Sequence, residues 1–103
     1  MLNNNAEYST VLLEFITNRM PSSTIEVFKT IVRDFQNKEI CTWKKLVEKF
    51  ENRSLVEDAL LILEVDGFIT SVRSQEDRRI IMYIPHEKHG KFLAKYLSEN
   101  KRG

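Results

Sequence analysis

Cysteine, proline and glycine are scarce in this 103-residue sequence, which holds one, two and three of them respectively. A single thiol, Cys41, excludes an intrachain disulfide framework and any zinc site built from paired cysteines, and it suits a reducing compartment. So few glycines leave no glycine-rich phosphate loop and no Gly/Ser linker. Long hydrophobic runs are missing too: none approaches the roughly 20 residues that span a bilayer, and with the lack of a secretory leader this sets the expectation of a cytoplasmic protein. Nor is there an excess of one charge. Sixteen Lys and Arg stand against 15 Asp and Glu, a formal net charge of +1, so any nucleic-acid binding depends on where the charges sit.

What the chain does have is apolar material, 42% of its residues, enough for one ordinary domain with a single core across residues 1–103. Over the first two thirds it falls at helical spacing. Asn5 is placed to cap a first helix with a stripe of Tyr8, Val11, Leu12, Phe15 and Ile16, which Pro21 stops. Ser23 and Glu26 have capping-box spacing ahead of a second helix through Phe28, Ile31, Val32 and Phe35, closed by Gln36, Asn37 and Lys38. Residues 39–41 suffice for a turn or a minimal strand. Thr42 then caps a helix of barely two turns with Trp43, Leu46, Val47 and Phe50 on one face. After Glu51, Asn52 and Arg53, the pair Ser54 and Glu57 repeats the capping-box spacing for a fourth helix buried through Val56, Ala59, Leu60 and Leu63, with Gly67 as its left-handed end.

Beyond Gly67 the apolar period changes from 3.6 to 2. Residues 68–72 and 79–84 read as two strands joined by a polar turn over 74–77, with Pro85 breaking the second. Ile80, Met82 and Ile84 share one face of that strand and Ile81 and Tyr83 the other. A last helix from about Glu87 carries Phe92, Leu93, Tyr96 and Leu97. The expected class is mainly α with a β-hairpin (α+β), in the order α-α-(β)-α-α-β-β-α.

Two short helices joined by a three-residue turn and followed by a hairpin with arginines at its tip form the plan of a winged helix-turn-helix. Its second helix suits a major groove, and its hairpin suits phosphates or the minor groove. The residues Leu63-Glu64-Val65-Asp66-Gly67-Phe68-Ile69 and Arg73-Ser74-Gln75-Glu76-Asp77-Arg78-Arg79 resemble the recognition-helix end and wing of the multiple-antibiotic-resistance-regulator (MarR) superfamily, most closely its accessory-regulator (SarA-like) branch. The similarity runs more weakly from about Ser22 through the last helix, and Asp77-x-Arg79 is its most specific part. It implies that the Asp77 carboxylate orients Arg79 toward a DNA minor groove or backbone, that the flanking helices form a two-fold dimer, and that a cysteine can act as a redox sensor.

The resemblance also implies that Arg73 and Arg78 supply phosphate contacts beside that pair. The recognition helix is less obliging. Residues 42–66 hold Lys44, Lys45, Lys49 and Arg53 against six carboxylates, and Glu57 and Asp58 stand where small polar or basic readers are common in similar proteins. This leaves Asn52, Arg53 and Ser54 at the helix start as base or phosphate contacts and Lys44 and Lys45 as phosphate clamps. Leu55, Leu61, Ile62 and Val65 exceed what one buried stripe can cover. A second reading follows: with Asp58, the residues Leu55, Leu61 and Ile62 would bind a protein, as in an anti-regulator or a complex subunit, instead of DNA.

Catalytic patterns are lacking. His86 and His89 have no third ligand cluster elsewhere, so neither a metal nor a cofactor is expected, and Cys41 is open to two readings, a redox-sensing thiol or a small buried residue. The expected protein is a non-enzymatic, cytoplasmic regulator of transcription that binds duplex DNA as a homodimer. A plasmid or phage replication or partition protein has the same signature.

Overall fold

The computed structural model describes residues 10–100, which form five helices and a two-stranded antiparallel hairpin: α1 (Thr10–Arg19), α2 (Ser22–Gln36), α3 (Trp43–Phe50), α4 (Arg53–Val65), β1 (Ile69–Arg73), β2 (Ile81–Pro85) and α5 (His89–Asn100). This is the expected class and order. The minimal strand before α3 exists as one antiparallel bridge, Thr42 to Met82, reinforced by a Tyr83 N–H donating to the Cys41 carbonyl at 2.9 Å. Asn5 and Tyr8, the expected cap and first stripe residue of α1, lie outside the described residues.

The stripe of α1 differs from its expectation. Leu13 and Thr17 are buried, Ile16 half-buried and Met20 buried just beyond, while Val11, Leu12 and Phe15 face outward. Leu13, Ile16, Thr17 and Met20 also have helical spacing, so two apolar lines compete for the interior, and the more polar one is chosen. Neither capping box forms at its expected place. Pro21 precedes α2 with no side-chain cap; its φ of −57° is already near helical values and its carbonyl accepts from Thr24 at 3.0 Å. The cap of α4 is Asn52, whose Oδ1 accepts from the Leu55 N–H at 3.0 Å, which starts the helix before Ser54. Thr42 caps α3 as expected, through the Lys45 N–H at 3.1 Å.

α2 is the centre of the core. Val27, Phe28 and Ile31 are fully buried on it, and it packs against α4 and β2; Phe35, expected inside, is largely exposed at its end. From the other side α4 contributes Val56, Ala59, Leu60 and Leu63, the four residues expected. Its C-terminus turns sharply: Phe68 N–H donates to the Leu63 carbonyl at 2.9 Å and Gly67 N–H to the Glu64 carbonyl at 3.1 Å, with Gly67 at φ +81°. This double bond pattern closes a helix through one left-handed residue. It delivers Phe68 into the core, edge-on to Phe28 at 6.4 Å, and starts the hairpin, whose register runs from Ile69–Pro85 to Arg73–Ile81.

The return from the hairpin is equally tight. The Phe68 carbonyl accepts from His86 N–H at 2.8 Å, and a Cβ on Gly90 would stand 2.6 Å from the same oxygen. His86 caps α5 with Nδ1, which accepts the Lys88 and His89 N–H groups at 3.1 Å each, and its ring stacks on His89 at 4.8 Å. Leu93, Tyr96 and Leu97 of α5 are buried in this same chain and Phe92 is half-buried, so the last apolar stripe is consumed by the domain's own core.

Three outcomes follow for urea unfolding. Gly67→Ala should cost about 1–2 kcal/mol, the strain of a left-handed alanine, because a Cβ there meets nothing within 4 Å. Gly90→Ala should cost more, since the Phe68 carbonyl must move; equal costs would contradict this packing. Burial first, then the charges of His86 and Lys88, hold His89 below its ordinary value. A histidine with a depressed folded pKa adds stability above its unfolded value, about 6.5, and loses it as pH falls below that value. The urea midpoint should therefore fall between pH 7 and pH 5 in the parent and fall less in His89→Gln.

Candidate nucleic-acid interface

Between β1 and β2 the chain makes a structured tip. Ser74 is the buried residue beneath it: its Oγ accepts the Glu76 and Asp77 N–H groups at 3.2 and 3.4 Å, and its own N–H donates to the Ile80 carbonyl at 2.8 Å. Asp77 then folds the tip onto itself, accepting the Arg79 N–H at 3.0 Å on Oδ1, while its carbonyl accepts from the Ile80 N–H at 2.9 Å. The same carboxylate grips the Arg79 guanidinium by two bonds of 3.1 Å, Nε to Oδ1 and Nη2 to Oδ2. Hydrogen bonding to Arg79 holds the Asp77 carboxyl below its ordinary value and raises that of Arg79. The Arg79 side chain is nonetheless 90% exposed. Its fork is thus oriented by a carboxylate yet open to an incoming anion.

Arg73, at the end of β1, donates to the Arg78 carbonyl at 2.8 Å and is exposed, as is Arg78. The structure therefore brings Arg73, Asp77, Arg78 and Arg79 onto one tip. A second group lies at the turn between α3 and α4. Asn52 uses its carbonyl as a cap, Ser54 is exposed in the first turn, and the Arg53 guanidinium sits 5.3 Å from the centre of the Trp43 ring. Lys44, next to Trp43 in the sequence, is exposed. Lys45 is engaged elsewhere: its Nζ lies 3.0 Å from Asp34 Oδ2 and 3.5 Å from Glu39 Oε1. Asp34 is a buried carboxylate near the end of α2, and its bond to Lys45 raises the lysine pKa.

The outward face of α4 carries Glu57, Asp58, Leu61, Glu64 and Val65, all exposed, while Leu55 and Ile62 are half-buried. Two carboxylates follow by one turn, so the single cation of α4, Arg53, stands at its N-terminal end. Cys41 is 2% exposed; burial, then the charge of Asp34 and a hydrogen bond to it, push its thiol up to about 12. Such a thiol stays protonated at neutral pH, which favours the small buried residue over the redox sensor. Among the described residues no group of three or more His, Cys, Asp or Glu side chains converges as a metal site requires. No helix of the described residues is long and apolar enough to cross a membrane.

Sequence reasoning missed three residues that shape these groups. Ser74 carries the tip, and the spacing Ser-x-x-Asp at a turn was its available signal. Trp43, assigned only to a helix face, also supports Arg53. Asp34 had no signal, because its side-chain partners Lys45 and Cys41 come from beyond the end of α2.

No protein-family model and no curated protein matches the sequence. Solved structures do match. The chain is similar to a mutant of ZitR from Lactococcus lactis, at 20% identity and a TM-score of 0.64 over 80% of this chain and 53% of that one. It is also similar to the transcriptional regulator BldR from Sulfolobus solfataricus, at 18% identity and 0.60 over 80% of this chain and 56% of that one. The adhesin competence repressor AdcR from Streptococcus pyogenes matches at 12% and 0.61, over 89% of this chain and 66% of that one. The chain thus spans about half the length of ZitR and shares with these regulators the winged-helix fold.

Two consequences are measurable. Lys45→Ala leaves the buried Asp34 carboxylate without its counter-charge and should cost about 1–3 kcal/mol in urea unfolding, against less than about 0.5 kcal/mol for Lys44→Ala. A disulfide reagent at pH 8 should label Cys41 only after unfolding; rapid labelling of the native protein would contradict the protonated, buried thiol.

Proposed function

We propose that this chain is a cytoplasmic DNA-binding regulator of transcription that works as a homodimer and leads its contact with the hairpin wing. One observation carries the reading: the exposed Arg79 guanidinium held in the Asp77 fork at the tip of an ordered hairpin. An arginine already fixed by a carboxylate loses less rotamer freedom when it meets a phosphate or enters a narrow minor groove. Arg73 and Arg78 bind phosphates on either side, and residues 1–103 act as one winged-helix unit. Asn52, Arg53 and Ser54 take the edge of the major groove, Arg53 restrained by its contact with Trp43. Lys44 clamps a phosphate; Lys45, tied to Asp34, contributes the weaker clamp.

The winged-helix regulators named above support the class, and the likeness of residues 63–69 and 73–79 to MarR and SarA-like proteins supports the branch. Dimerisation rests on the outward side of α1, where Val11 and Leu12 are exposed apolar residues. Two copies joined there would set two wings at a fixed half-site spacing. The chemistry of the site is that of binding and positioning, with no reacting group placed in it.

The test is binding to fragments of the source genome, followed by fluorescence anisotropy between 50 and 200 mM salt, a range over which about six phosphate contacts change affinity by some three orders of magnitude. Arg79→Ala should weaken binding at least about tenfold and lower the salt slope by about one. Asp77→Asn, which keeps an acceptor but loses the charge, should weaken it less. Affinity that never exceeds the non-specific level, or an Arg79→Ala protein that binds like the parent, would overturn the reading.

A further inference from the structure

The apolar surplus of α4 is concentrated in its second half, away from the basic start. Leu61 is 62% and Val65 75% exposed, large values for aliphatic side chains on a helix that otherwise packs well. Next to them lie two hollows that share Pro21 and Ile62. One, of about 570 Å³, runs between the start of α2 and the outer side of α4, from Asn52 and Ser54 past Leu55 and Asp58 to Leu61. The other, of about 300 Å³, lies between α1 and the end of α4, with Phe15 and Met20 as lining and Asp66 at its edge. Together they make one broken apolar channel over Ile62, bordered by Asp58 and Asp66 and flanked on the open face of α4 by Glu57 and Glu64. Arg19 is the only cation lining either hollow among the described residues, and it is already stacked on Phe15 at 3.7 Å.

The border decides the occupant. Four carboxylates repel a DNA backbone and an anionic lipid surface alike. They also disfavour a two-fold contact of this face with itself, because its four carboxylates would find only Arg19 as a cation on the facing copy among the described lining residues. A short amphipathic helix with apolar anchors three and four residues apart and lysines or arginines on its flanks satisfies both the floor and the border. We propose that the channel between α1, the start of α2 and the second half of α4 is a docking site for a basic amphipathic helix of another protein. The apolar anchors Leu61, Ile62 and Val65 lie about 12–18 Å along the axis of α4 from Arg53, and Asn52 and Ser54 line the end of the hollow nearest that start. None of the channel's residues belongs to the wing, and because Asn52 and Ser54 line the hollow and also stand in the DNA reading, the site is probed without DNA.

The probe is a 15-residue fluorescent helical peptide with leucines at i, i+3, i+4 and i+7 and lysines on both flanks, together with its twin carrying glutamate for every lysine. Binding to the full chain is read by anisotropy. The lysine peptide should bind, more weakly as salt rises, and the glutamate peptide should bind at least about tenfold more weakly. Leu61→Ser with Val65→Ser should reduce lysine-peptide binding about tenfold, and Asp58→Lys with Asp66→Lys should shift preference toward the glutamate peptide. The altered side chains are exposed, so folding is retained; unchanged circular dichroism and urea midpoint verify it. Arg79→Ala should leave peptide binding as it was. No binding of the lysine peptide, equal binding of both peptides, or a Leu61→Ser, Val65→Ser protein that binds like the parent overturns the proposal.

Discussion

Phe68 is the residue on which the arrangement turns. Its N–H completes the left-handed closure of α4, its ring is buried edge-on to Phe28 of α2, and its carbonyl holds the His86 N–H while leaving room only for a hydrogen at Gly90. Helix α4, the hairpin, the core helix α2 and α5 are therefore referred to one backbone unit. A shift of Phe68 by one residue would swap the two faces of β1 and swing the tip away from the axis of α4. The position of the arginines relative to the start of α4 is thus a packing property, set in the core and expressed at the surface.

At the surface the chain separates its tip arginines from the acidic and apolar face of α4. Guanidinium groups are gathered on the tip, where Asp77 orients one of them, and the outward face of α4 beyond its first turn is acidic and apolar. The overall balance of +1 hides this polarity. Residues 61–103 carry eight basic against six acidic side chains and residues 1–60 eight against nine; three of the eight in the second half are the wing arginines and the other five fall in residues 86–103. A cation at the tip of a hairpin also reaches DNA without bringing the carboxylates of α4 with it, provided the helix meets the groove by its start and not along its length.

The order of elements, the four buried positions of α4, the cap at Thr42 and the left-handed Gly67 were legible because each rests on local chemistry: periodicity, a hydroxyl before a helix, a residue without Cβ. The wing pair was legible as a motif. The failures share a cause. Two apolar lines compete along α1, and only its neighbours decide that Leu13 and Thr17 go inside while Phe15 stays out. Ser54 and Asn52 both qualify as caps two residues apart, and the length of the turn after α3, closed by Glu51 at φ 55°, selects Asn52. The buried Asp34, its bond to Lys45 and its effect on Cys41 are tertiary, and no spacing in the sequence announces them.

The central claim is that the wing and the start of α4 meet nucleic acid while the far end of α4 does not. Titrating a bound duplex fragment into 15N-labelled protein and following the amide resonances tests it directly. The account predicts that the largest shifts fall on residues 73–80 and 52–54, with residues 61–66 nearly unmoved. Shifts centred on Leu61, Glu64 and Val65 with a silent wing would contradict it.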